Sequence, residues 1–245
     1  MLAPNKGKKL EIKIGDITYL RLPIKTRLIN PGDDLIKLLD EYAKPHILSG
    51  DLLFVSEKVV CICQNRVLPI KDIKISPFAR FLSRQIDNKR GTPEFKGFGH
   101  STAFAMQLFL EEAGYPRILF AAFISALTRP LGIKGAFYLI SGKMAKSVDC
   151  PMSFSFMPYL LYAKRAPLKP NAVAREIRDK FGVETVIVDA NYRGAFSLGK
   201  STSAISEKFI RALVRDNPAG QSNEMTPFFL VRLRHATVKH SVLDN

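Results

Sequence analysis

The segment Thr185-Val-Ile-Val-Asp189 does most to restrict how this chain can fold. Four β-branched residues in succession read as a short strand, and the strand ends on a carboxylate. The elements around it decide the class of fold. Glu11 to Leu22 alternates polar and apolar residues and predicts a strand. Asn30-Pro31-Gly32-Asp33-Asp34 is turn chemistry that leads into a helical spacing over Leu35 to Tyr42, with Asp33 as the expected N-cap. Ser49-Gly50-Asp51 is a second turn. Leu52 to Val60 then predicts a buried strand interrupted by Ser56-Glu57-Lys58, and Asn65 starts a return to Leu68.

Further along, Ser76 to Ile86 and Ser101 to Ala113 have helical spacing, with Gly114 as the stop of the second. The polar stretch Asp87 to Gly99 between them predicts a mobile loop. Ile118 to Ile124 and Gly135 to Ile140 predict strands, and Asp149 to Pro158 a loop. Asn171 to Phe181 is an amphipathic helix, with Val173, Ile177 and Phe181 opposite Arg175, Asp179 and Lys180. Ser203 to Val214 predicts a last helix and Phe228 to Leu233 a last strand. The mixture points to an α+β or α/β protein with much irregular structure. Residues 1–9 predict a basic, disordered arm before a domain over residues 10–245.

The 245 residues are 47% hydrophobic and 24% charged, as a packed globular chain requires. Apolar stretches such as Ile118 to Leu127 are too short to span a bilayer, and no signal-peptide run follows Lys9. A cytoplasmic protein without a membrane partner is expected. Cys61, Cys63 and Cys150 have no disulfide-framework spacing. On a strand Cys61 and Cys63 would share one face, as buried small hydrophobes or as a metal pair. The net charge of +15 favours anionic partners such as nucleotides, phosphorylated cofactors or acidic peptides. Nucleic acid is the weaker choice, because the basic residues are scattered and no RNA-binding or zinc-finger motif is present.

Four segments combine polar residues with turns or strand ends. Pro31-Gly32-Asp33-Asp34 offers two carboxylates for a cation or for helix capping. Ser56-Glu57-Lys58 puts charges in an apolar run, where burial is costly unless partners offset it. Asp189-Ala-Asn191-Tyr-Arg193 offers a ligand for a hard cation, an amide and a phosphate clamp within five residues. Asn217 to Pro227, with Gly220, Gln221, Ser222 and Glu224, could cradle phosphates through backbone N–H groups, or simply join a helix to a strand. His46, His100, His235 and His240 show no pairing. The chain has no P-loop, Gly-x-Gly-x-x-Gly or Gly-x-Ser-x-Gly motif.

In order, these segments resemble the coenzyme F420:L-glutamate ligase family, also called F420-0:gamma-glutamyl ligases. Ile29 to Leu35 resembles its first loop and helix. Ser49 to Val60 resembles the next strand, with a turn at Asn65-Arg66. Val188 to Arg193 resembles its strand-end metal motif, and Gly220 to Arg232 its late loop and strand. The resemblance covers roughly residues 20–235. It implies an α+β fold of mixed and antiparallel sheets with flanking helices, in two intertwined lobes that work as a homodimer. It also implies GTP, Mg²⁺ or Mn²⁺, sometimes K⁺, and a gamma-glutamyl-type amide bond between L-glutamate and an acidic acceptor such as the F420 precursor, through an acyl phosphate. On this resemblance Asp189, Asp149 and Glu224 hold metal, and Lys58 and Arg193 are catalytic. Glu57, Asn191, Gly220, Gln221 and Ser222 bind nucleotide or substrate. The chain departs from the family pattern where its carboxylate is displaced to Asp149 and where Tyr192 follows Asn191. A folate or another acidic small molecule is therefore also open as acceptor. The competing readings are a non-catalytic nucleotide- or cofactor-binding descendant and a basic nucleic-acid-associated protein.

Overall fold

A computed structural model describes residues 2–85, 102–133, 135–148, 158–191, 194–220 and 223–234. The fold is α+β. Its sheet has six strands: β1 (Glu11–Ile14), β2 (Ile17–Ile24), β3 (Leu52–Ser56), β6 (Glu184–Asn191), β7 (Gly194–Lys200) and β8 (Phe228–Leu233). The order is β1-β2-β8-β3-β6-β7. Only β3 and β6 run parallel; every other neighbouring pair is antiparallel. A second sheet pairs β4 (Val67–Pro69) with β5 (Tyr162–Lys164).

The central strands are apolar on both sides because both sides are covered. Leu53, Val55, Ile187, Phe228 and Leu230 face a core closed by α1 (Leu35–Leu38), α2 (Glu57–Cys63) and α7 (Pro170–Phe181), with Leu38, Val59, Val60, Ala174 and Ile177 buried there. The alternate residues Phe54, Val186, Val188, Phe229 and Val231 pack against Ile210, Leu213 and Val214 of α8 (Glu207–Val214). Phe54 and Phe229 stack with ring centroids 4.8 Å apart. Each such side chain, once fully buried, contributes about 1.5–3 kcal/mol. A one-residue slip of β3 would exchange its two faces, so the pattern sets the register strongly.

A helical unit joins the strands. It comprises α3 (Pro77–Arg84), α4 (Ala103–Ala113), α5 (Tyr115–Thr128) and α6 (Ala136–Lys146), the last broken at Gly142. Its core holds Ala79, Leu82, Met106, Phe109, Leu110, Ile118 and Ala145. The strands expected at 118–124 and 135–140 are therefore the helices α5 and α6. A continuous apolar run lacks a diagnostic period, and here its length of 14 residues marks a helix.

Other expectations change in detail. Glu11 to Leu22 is not one strand but part of a hairpin, reversed at Gly15-Asp16, where Gly15 takes a φ of +61°. The cap of α1 is Asp34 rather than Asp33. Its carboxylate accepts from the Ile36 and Lys37 N–H groups, while Asp33 accepts from the Asn30 N–H and from Arg27. The helix then continues as a π-helical turn, Leu39–Ala43. The last helix starts at Glu207, four residues later than expected, because Ser206 is its cap. The helix of residues 103–113 ends at Gly114 as expected, and α7 and β8 lie where their patterns put them. The strand expected to end on Asp189 instead runs on to Asn191, because Asp189, Ala190 and Asn191 pair with Phe196, Ala195 and Gly194 of β7. The loops expected at 87–99 and 149–157 lie outside the described residues.

Residues 2–9, expected as a disordered arm, lie along the segment that precedes β8. Asn5 Nδ2 donates to the Pro218 carbonyl and to Thr226 Oγ1, each at 2.8 Å, and Lys8 Nζ donates to the Asp216 carbonyl. Asp216 in turn holds Arg21, a β2 side chain only 1% exposed. The guanidinium also donates to the Lys9 carbonyl at 2.6 Å and the Leu213 carbonyl at 3.1 Å. Burial pushes the Asp216 carboxyl up, but the hydrogen bond and charge of Arg21 outweigh it and leave the pKa below the usual value.

Asp216→Ala leaves the buried Arg21 without its anion, and because Asp216 is partly screened by solvent and Arg21 keeps two carbonyl acceptors the cost in urea unfolding at neutral pH should be about 1–2 kcal/mol. A depressed folded pKa means that this contribution is present above the ordinary carboxylate range. It is lost as pH falls through the folded value. The difference between wild type and variant should therefore shrink in acid.

Candidate functional site

The site begins with the parallel pair. Ser56 at the end of β3 stands opposite Val188 of β6, so the next residues, Glu57 and Asp189, emerge side by side. The strand expected through Val60 stops at Ser56, and α2 starts at Glu57. A strand continued there would carry Glu57 and Lys58 through the core. The turn into a helix instead gives each charge its own surroundings. Cys61 and Cys63 consequently lie on a helix rather than on one strand face. Cys61 is buried and Cys63 half-buried. Cys61 Sγ lies 3.1 Å from the Arg165 carbonyl, and burial pushes both thiols up, Cys63 to about 12. Cys150 lies outside the described residues.

An open pocket at these strand ends is lined by Ser56, Glu57, Lys58, Asp189, Gly220 and Glu224, with Thr26, Arg27, Tyr159 and Asn217 also on its walls. Five residues picked out from separate parts of the sequence thus converge: Glu57, Lys58, Asp189, Gly220 and Glu224. Asn191 is the last residue of β6. Arg193, Gln221, Ser222 and Asp149 lie outside the described residues. Asp33 and Asp34 are engaged in the turn and the helix cap.

Glu57 is 1% exposed, and its Oε2 accepts from Lys164 Nζ at 3.0 Å. Burial drives its carboxyl up, and neighbouring Asp189 adds to this. Lys164 and Lys58 oppose it, and the balance is about 7. Lys164, 1% exposed at the end of β5, also donates to the Ser147 carbonyl just after α6. One buried ammonium therefore ties the pocket wall to the helical unit. Sequence reasoning missed Lys164, and its only signal was a lysine closing the apolar run Tyr159 to Ala163.

The opposite wall is the segment before β8. Asn217, Gly220 and Met225 all take positive φ, at +50°, +76° and +52°. Local hydrogen bonds hold these conformations. The Gly220 N–H donates to the Asn217 carbonyl at 3.0 Å, Asn217 Nδ2 donates to the Gly220 carbonyl at 2.6 Å, and Thr226 Oγ1 donates to the Ala219 carbonyl at 2.9 Å. The Ser56 N–H donates to the Pro227 carbonyl and the Thr26 N–H to the Met225 carbonyl, each at 2.8 Å, so the wall is tied to β3 and to the first loop. Glycine is needed at 220 for its positive φ, and any side chain there would also have to displace the flexible end of Glu224. A Cβ there would stand 2.5 Å from Glu224 Cδ.

Asp189 and Glu224 supply hard oxygen donors to one pocket, the chemistry that Mg²⁺ or Mn²⁺ takes. Among the described residues no group of three His, Cys, Asp or Glu side chains is gathered to hold a metal alone.

Two substitutions test the buried tie. Lys164→Met strands the Glu57 carboxyl and should destabilise the protein by about 3–5 kcal/mol. Adding Glu57→Gln should restore a large part of that loss, because no charge is then buried. Equal stability of the single and double variants in chemical denaturation would show that the pair is not coupled.

Comparison with known proteins agrees with the first half of this site. No curated protein matches the chain. Residues 23–128 match the family model for F420-0:Gamma-glutamyl ligase, a span that carries the first loop, β3, Glu57, Lys58 and the helices to α5. Asp189 and the 217–227 wall lie beyond it. The matched family supports a ligase role in coenzyme F420 biosynthesis. Over residues 23–128, less than half of its length, the chain is similar to the F420-0:gamma-glutamyl ligase family.

Proposed function

We propose that the protein is a GTP-dependent ligase that joins the amine of L-glutamate to a carboxylate of an acidic acceptor such as the F420 precursor. The observation that carries this reading is the convergence of Glu57, Lys58, Asp189, Gly220 and Glu224 on one pocket. A carboxylate is a poor electrophile. In the proposed first step an acceptor carboxylate oxygen attacks the γ-phosphorus of GTP and GDP leaves. The glutamate amine then attacks the acyl carbon, loses a proton and expels phosphate. Both steps place developing negative charge on phosphate oxygens.

Lys58 on the pocket wall supplies a compact cation to those oxygens. Backbone N–H groups of the 217–227 wall are suited to a phosphate because its positive-φ turns hold them in place. Asp189 and Glu224, with Asp149 as a third member, would hold Mg²⁺ or Mn²⁺, which supplies charge neutralisation when bound. K⁺ is a further cation of the same proposal. Arg193 is assigned to the transferring phosphoryl group, and Asn191, Gln221 and Ser222 to ligand positioning. Glu57, deep in the wall beside Asp189, orients the acceptor or nucleotide. A homodimer in the cytoplasm belongs to the same reading and predicts a light-scattering mass of two chains.

Asp189→Asn is the direct test. The side chains are nearly isosteric, so the melting temperature should hold. A neutral amide is a weaker ligand for a hard dication, so Mn²⁺ affinity should fall in calorimetry. Phosphate release that depends on glutamate and acceptor should fall by at least about a hundredfold. Unchanged metal affinity and turnover would remove Asp189 from the mechanism. Activity that persists equally in EDTA would remove the metal.

A further inference from the structure

The helical unit carries a feature that the ligase reading does not use. Ile118 and Ala121 of α5 are fully buried, yet Leu119, Phe120, Phe123 and Leu127 on its other side are 54–61% exposed. These positions form one stripe, as spacings of three, four and one place them on a helix. Past the end of α5, Leu131 and Ile133, and Leu139 on α6, are also exposed, at 76%, 54% and 78%. Seven large apolar side chains are thus exposed between residues 119 and 139, more than the singly scattered ones of an ordinary surface.

Along this stretch of the sequence the charge has one sign. Residues 113–148 contain no Asp or Glu, but they contain Arg117, Arg129, Lys134, Lys143 and Lys146. Arg117 and Arg129 are exposed at either end of α5. A second copy seated face to face would bring two cationic hairpins together, with no carboxylate in either to offset them. An anionic lipid surface meets both requirements. Its acyl region accepts Phe and Leu to a depth of about 5–10 Å, and its headgroups attract the Arg and Lys side chains.

We propose that the α5–α6 hairpin docks the protein on anionic membrane surfaces. The expectation of no membrane partner came from the lack of a spanning segment. Among the described residues no helix is long and apolar enough to cross a bilayer. Docking in the interface does not need one. The inference is independent of the ligase reading, because it uses no residue of the pocket.

The test is flotation of the full chain with vesicles of phosphatidylcholine, alone or mixed with phosphatidylglycerol. Binding to the mixed vesicles is expected, weak or absent on phosphatidylcholine alone, and reduced several-fold as salt rises from about 0.1 to 0.5 M. Phe120→Asp with Phe123→Asp should lower the bound fraction at least about tenfold without changing the melting temperature, since both positions are exposed. If that variant fails to fold, Arg129→Glu carries the test, with weaker binding to anionic vesicles expected. No binding to either vesicle, or equal binding to both, would overturn the proposal. So would unchanged binding of Arg129→Glu. A dimer that becomes monomeric in the double variant, with no vesicle binding by wild type, would assign the face to a second copy instead.

Discussion

The parallel pairing of β3 with β6 is the constraint on which the rest depends. It is the one parallel contact in an otherwise antiparallel sheet. Antiparallel neighbours present opposite ends at any one edge. Two parallel neighbours run toward the same edge, and β3 stops at Ser56 opposite Val188 while β6 continues to Asn191, so Glu57 and Asp189 come next to each other from distant parts of the chain. The register that does this is held by the sheet's two apolar faces. Ser56 also donates its N–H to the Pro227 carbonyl, so the end of β3 fixes the far wall of the pocket as well. Burial energy spread over the sheet thus becomes precision at a polar site.

The polar site in turn reaches back into the scaffold. Glu57 and Lys164 are both almost fully buried, and neither is tolerable there without the other. Lys164 lies on the small sheet and also binds the Ser147 carbonyl after α6. The pocket, the small sheet and the helical unit therefore share one ammonium group. A second cation, Arg21, does comparable work behind the opposite wall. Its partner Asp216 opens the segment in which Asn217 and Gly220 take positive φ. Two ion pairs, Glu57–Lys164 fully buried and Arg21–Asp216 with only its arginine buried, hold the walls from outside the pocket.

The sequence made some of this legible for clear physical reasons. Thr185 to Val188 reads as a strand because four β-branched residues favour little else, and Asp189 is conspicuous because it follows them. The helix of residues 170–181 shows a strong apolar stripe. Phe228 to Leu233 is long, apolar and bounded by Pro227. By contrast, residues 115–128 are apolar both on the face that packs and on the face that does not, so their period is hidden. Glu57 and Lys58 looked like an interruption of a strand because their role as a helix start depends on Lys164, 107 residues away. Neither ion pair has a local signal. Gly220 was visible as a loop glycine, but its positive φ follows only from the folded loop.

The central claim is that the ends of β3 and β6 form the nucleotide and metal centre. Crystals grown with Mn²⁺ and a non-hydrolysable GTP analogue, measured at the manganese absorption edge, address it directly. The account predicts an anomalous peak at about 2.0–2.2 Å from an Asp189 carboxylate oxygen, with the phosphates against Lys58 and the 217–227 segment. A peak or a bound nucleotide elsewhere on the molecule, with this pocket empty, would contradict it.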